Sequence, residues 1–129
     1  MNIYLIIASL LTTFAFFLHT FIGDQELRLI EPLKEELGKK REAWTMIRCG
    51  WHWISFDLLF AAIGLSLITF TNYLSNESLL LQILSIYFFG YAIVWMIGII
   101  ISPPFPNRFI KLGQWGLLII LGSLTYLGS

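Results

Sequence analysis

"LLLQILSIYFFGYAIVWMIGIII", residues 79–101, contains no Asp, Glu, Lys or Arg. At 1.5 Å of helical rise per residue, it reaches about 34 Å, enough to cross a hydrocarbon layer of about 30 Å. Backbone amides and carbonyls find no water in lipid, so only helices and closed barrels span it. Barrel strands alternate polar with apolar residues, and this stretch does not. It reads as a membrane-spanning helix. "SPPFPNR", residues 102–108, ends it, because three prolines in four positions remove amide donors and disfavour helix before them. On its other side "TNYLSNES", residues 71–78, reads as a tight polar hairpin.

Three more apolar runs lie outward from this one, at about residues 3–22, 44–70 and 109–127. The expectation is an all-α fold, a single four-helix membrane bundle joined by a polar loop at residues 23–43. Composition agrees. Of 129 residues, 57% are hydrophobic and only 12% charged, with a mean hydropathy of +0.78. Soluble domains carry about a quarter charged residues. Net charge is zero, which offers nothing to nucleic acid. Cys49 is the single cysteine, so intramolecular disulfides and cysteine-rich zinc or iron–sulfur sites are excluded. The first run lacks the basic leader and small-residue cleavage pattern of a signal peptide, and is read as a retained first helix.

The basic residues give a direction. Arg28, Lys34, Lys39, Lys40 and Arg41 fall between the first two runs, Arg48 lies just inside the second, and Arg108 and Lys111 follow the third. The hairpin at residues 71–78 and both ends have none. Lys and Arg stay on the cytoplasmic side during insertion, so the loop at residues 23–43 is expected inside and both termini outside. Within that loop, Pro32 suits a helix's first turn and Gly38 its end. Leu27, Ile30, Leu33 and Leu37 form an apolar edge, so a short helix on the inner membrane surface is one expectation and a solvated connector the other.

Few polar residues interrupt the runs. His19 lies about one turn from the loop end of the first, and His52 about one turn deeper than Arg48 on the second, which puts both at similar depth. Arg48 and His52 are four apart and share a face: Arg48 is expected at the headgroups and His52 in the bundle interior. Tyr91 and Trp95 on the third helix and Gln114 on the fourth complete a candidate ligand-binding cluster. Two histidines at one depth also suit axial ligation of a haem b iron, with Arg48 near the propionates. As a metal site, His19 and His52 alone are too few for closed zinc coordination. Asp57 turns roughly 140° away from His52, near mid-membrane, where a carboxylate costs about 2.5 kcal/mol or more and marks a proton or ion role by default.

The pattern "LHTFIGDQE", then "EPL", then "RCGWHW" resembles small uncharacterised bacterial four-helix inner-membrane proteins. The resemblance covers the first half of the chain and implies an inner (plasma) membrane location, but no activity, cofactor or site. Small multidrug exporters share the size, but their working glutamate is in the first helix, which here has no acid. Three expectations remain: a bundle binding a ligand, cofactor or lipid through the cluster; a homo-oligomeric channel or proton-coupled carrier using Asp57; and an accessory subunit of a larger membrane complex. No serine–histidine–acid set, phosphate-binding glycine loop or HExxH helix argues for an enzyme.

Overall fold

A computed structural model describes residues 2–33 and 38–129. Among the described residues every regular element is helical. Helix α1 (Ile3–Phe17) continues through a π-helical turn (Leu18–Gly23) into α2 (Asp24–Arg28). Then follow α3 (Lys39–Phe70), α4 (Glu77–Ile101), the single turn α5 (Arg108–Lys111) and α6 (Gln114–Gly128). Three helices are long and apolar enough to cross a membrane: Ile3–Arg28, Lys39–Phe70 and Glu77–Ile101.

The boundaries depart from the sequence expectation in four places, each for a local reason. The first helix does not stop at Ile22 but runs to Arg28, because Asp24 and Leu27 both find buried positions on its extension. The second starts at Lys39 rather than Trp44, and its polar first turn is capped by the Gly38 carbonyl, which accepts the Glu42 amide at 3.0 Å. Gly38 therefore directly precedes this helix. Its φ of +100° is a conformation that a side chain resists. Residues 31–33 carry no helix, so Pro32 opens none. The rest of the expected surface helix, residues 34–37 with Lys34 and Leu37, lies outside the described residues. The fourth run is interrupted at Leu112 and Gly113, leaving α6 with 15 residues.

The chain forms two compact units, Met1–Ser9 with Leu65–Ser129, and Leu10–Gly64. In the first, Leu5, Ala8, Leu65, Ile68 and Leu81 form a buried core, with Leu74, Leu84 and Leu124 packed on it. Helices α4 and α6 pack together over fully buried Ser85, Phe88, Leu121 and Thr125. Small residues such as Ser85, Gly122 and Thr125 let the two backbones come close. The Ser85 hydroxyl donates to the Gly122 carbonyl at 2.7 Å. Phe89 lies so near Gly122 that a Cβ there would sit 3.1 Å from the ring. The wide exposed surface of α4, including Ile83, Ile86, Ile93 and Val94, is what a lipid-facing helix presents.

Candidate functional site

The unit Leu10–Gly64 gathers its chemistry around Asp24, which lies in the segment expected as the polar loop at residues 23–43. The α1–π–α2 run carries this carboxylate past the apolar stretch, and the N-terminal half of α3 brings a guanidinium, Arg48, and an imidazole, His52, to it. The Arg48 Nε–H donates to Asp24 Oδ1 at 3.0 Å and its Nη2 to Oδ2 at 3.2 Å, a two-pronged guanidinium–carboxylate pair. Arg28, one turn along the same helix, places Nη2 at 2.7 Å and Nε at 2.9 Å from Oδ2. His52 Nε2 stands 3.3 Å from Oδ1. The Asp24 side chain is 9% exposed, against 59% for Arg28, 32% for Arg48 and 45% for His52. A buried anion is thus ringed by two half-exposed guanidiniums and an imidazole. One carboxylate against two guanidiniums leaves a net positive charge.

Tryptophans support the cluster. The Trp44 indole lies under the Arg48 guanidinium at 5.4 Å, and its Nε1–H donates to the Leu27 carbonyl at 3.2 Å. Trp51 locks the π-helical turn. Its Nε1–H donates to the His19 carbonyl at 2.9 Å, while His19 Nε2 donates back to the Trp51 carbonyl at 3.1 Å. The two rings stack at 4.1 Å with 9° between their planes. Gly23 completes the fit, since a Cβ there would overlap the Trp51 indole. A π turn holds one residue more than an α turn, so it resets the direction of everything after it. Here it sets the angle at which Asp24 meets Arg48 and His52. Nearer the loop, Arg41 Nη2 donates to the Pro32 carbonyl at 3.0 Å, with Glu31 Oε1 3.6 Å from its Nη1.

The expected site residues therefore separate. Arg48 and His52 do share a face, but that face turns to Asp24 and its exposed edge, not to the bundle interior. His19 reaches the Trp51 backbone rather than sharing a ligand with His52. A haem does not fit between the two histidines. His19 has its Nε2 engaged and one ring face covered, and the Trp51–Gly23 contact leaves no room there even for a methyl group. Among the described residues no three His, Cys, Asp or Glu side chains are grouped to hold a metal ion. Tyr91 and Trp95 belong to the other unit, where Trp95 Nε1–H donates to the Leu112 carbonyl at 3.1 Å and the Tyr87 and Tyr91 hydroxyls lie 3.1 Å apart. Gln114 opens α6 in an exposed position. Asp57 is half-buried in the middle of α3, between exposed Phe56 and half-buried Leu58.

Asp24 was not invisible in the sequence. An acid four residues before a base, as in "DQELR", is a helical pair signal, and Arg48 and His52 repeat the same spacing. The other unit holds a cavity of about 570 Å³ whose polar lining includes Asn2, Thr71, Asn72, Glu77 and Ser78, a grouping with no signature in sequence spacing. Compared with known proteins, the chain matches no family model, no curated protein and no solved structure.

Proposed function

We propose that this chain is a multi-pass protein of a plasma membrane whose polar cluster, Arg28, Arg48 and His52 held around Asp24 with a net positive charge from its two guanidiniums, binds an anionic group at the cytoplasmic membrane surface. The α5–α6 segment serves as a fourth, interrupted span in this reading. Both termini lie outside and the basic segment between α2 and α3 inside, in keeping with the placement of Lys and Arg. Cysteine-reactive probes added to intact cells would test that topology: introduced cysteines at Asn72 label from outside, and those at Lys40 do not.

The observation that carries the binding reading is one buried carboxylate organising two guanidiniums and an imidazole. Each guanidinium spends Nε–H and one edge on Asp24, and the Nη1 of each has no hydrogen-bond partner among the described residues. Arginines pre-oriented this way present a planar fork to a phosphate or carboxylate without first losing side-chain freedom. Melting of the detergent-solubilised protein, titrated with inorganic phosphate and with a soluble phosphate diester, tests it. Stabilisation that grows with concentration and is lost in Arg28→Gln is the expected result; no shift with either anion rejects the reading.

A second reading has its own support. The Trp51, His19 and Gly23 fit fastens the helices whether or not anything binds, as an accessory subunit of a larger membrane complex requires. In that case alanine at His19 or His52 lowers stability or partner retention and leaves anion response unchanged.

A further inference from the structure

The cluster sits where the apolar run of the first helix ends, one residue past Gly23. With the hydrocarbon core spanning about 30 Å and the headgroups adding about 5–8 Å on each side, this is the depth of lipid phosphates. Below His52 on α3, at steps of four residues, come Phe56 and Phe60, both exposed and stacked on each other at 6.4 Å. Each step of four turns the side chain by only about 40°, so the four residues form a ridge that winds slowly around the helix. A ridge therefore runs down α3 from Arg48 and His52 to two exposed aromatic rings, polar above and apolar below.

We infer that the anionic group is the phosphodiester of an anionic phospholipid, its headgroup on Arg28, Arg48 and His52 and its acyl chains along Phe56 and Phe60. The inference rests on the anion-binding reading and goes beyond it by naming the ligand. A freely diffusing phosphate would use the guanidiniums but gain nothing from the phenylalanines. An anionic lipid uses both, and its local concentration in the leaflet is already high. A zwitterionic lipid brings its own ammonium group towards the arginines and loses the charge advantage.

Native mass spectrometry of the whole protein, extracted from mixed vesicles of phosphatidylglycerol and phosphatidylcholine, tests the assignment. The expected result is retention of phosphatidylglycerol over phosphatidylcholine by about fivefold or more, the contribution of one net positive charge at the surface. Arg28→Gln should remove most of that preference. Its side chain is largely exposed and its partner lies on its own helix, so folding should survive. Phe56→Ser should weaken lipid retention while leaving any response to inorganic phosphate intact. Phosphate-dependent stabilisation without lipid preference would keep the anion site and overturn the lipid. Loss of both would overturn both. A preference that survives Arg28→Gln but falls in a Lys39→Gln, Lys40→Gln chain belongs to the general basic surface and also overturns the inference.

Discussion

The Asp24 cluster and the α4–α6 pair fasten apolar helices in opposite ways. Between α4 and α6 a hydroxyl meets a carbonyl, an aromatic ring covers a glycine, and small residues are buried among larger apolar ones. Around Asp24, in the unit Leu10–Gly64, the fastening is ionic, backed by an indole that exchanges hydrogen bonds with a histidine. The difference lies in how each fails. Neutral side-chain hydrogen bonds between lipid-embedded helices average about 0.6 kcal/mol, because the separated helices find other partners. An enclosed carboxylate has no such fallback. Removing Asp24, or the Arg48 fork that pairs with it, leaves the partner uncompensated, which costs more than the pair itself contributes.

The first way to break this contrast is Asp24→Asn, which keeps the shape and deletes the charge. Of the changes considered, it should cause the largest fall in melting temperature, measured in mild detergent. Arg48→Gln added to it should recover part of the loss, since the orphaned guanidinium goes too. If Asp24→Asn melted like the parent protein, the cluster would be decoration on a fold held elsewhere.

Next comes Gly23→Ala. The added methyl must displace the Trp51 indole, and overpacking of this kind costs about 1–3 kcal/mol. Gly50→Ala, in the same unit with nothing within 4 Å of its Cβ position, should be neutral or stabilising by up to about 1 kcal/mol, as expected for Gly→Ala inside a helix. Unfolding in a denaturing detergent series measures both. Equal behaviour at the two glycines would mean that the π turn is not set by the Trp51 contact. Trp51→Phe sharpens the point: the ring remains, the Nε1–H bond to the His19 carbonyl goes, and the loss should be about 1 kcal/mol.

The same contrast explains what could be seen in the sequence. The long helices followed from apolar runs and from the prolines after Ile101, because lipid imposes one solution on any such run. Their ends were harder to see. Asp24 and Leu27 look like loop residues in the sequence, since nothing local says that a π turn will carry the helix five residues past Gly23 into contact with Trp44 and Arg48. Counting turns from the run ends puts His19 and His52 at matching depth, but depth says nothing of direction. The extra residue of the π turn shifts direction in a way that counting by 3.6 cannot follow. Arg48 was read as an anchor for the headgroups; its Asp24 partner was missed because the pair is 24 residues apart.

The smallest effect, and the sharpest check on the apolar side of the comparison, is Ser85→Ala. The hydroxyl donates to the Gly122 carbonyl, which as a helix carbonyl also serves the backbone, so deleting the donor leaves no acceptor stranded. The expected loss is about 0.6 kcal/mol, near the average for such bonds in lipid. Gly122→Ala at the same contact asks whether shape matters more. Its Cβ would stand 3.1 Å from the Phe89 ring, an approach that a small ring movement relieves, so the cost should fall between those of Ser85→Ala and Gly23→Ala. If Ser85→Ala proved as damaging as Asp24→Asn, the α4–α6 pair would depend on a single polar contact just as the Asp24 cluster does, and packing of small residues would not be what holds it.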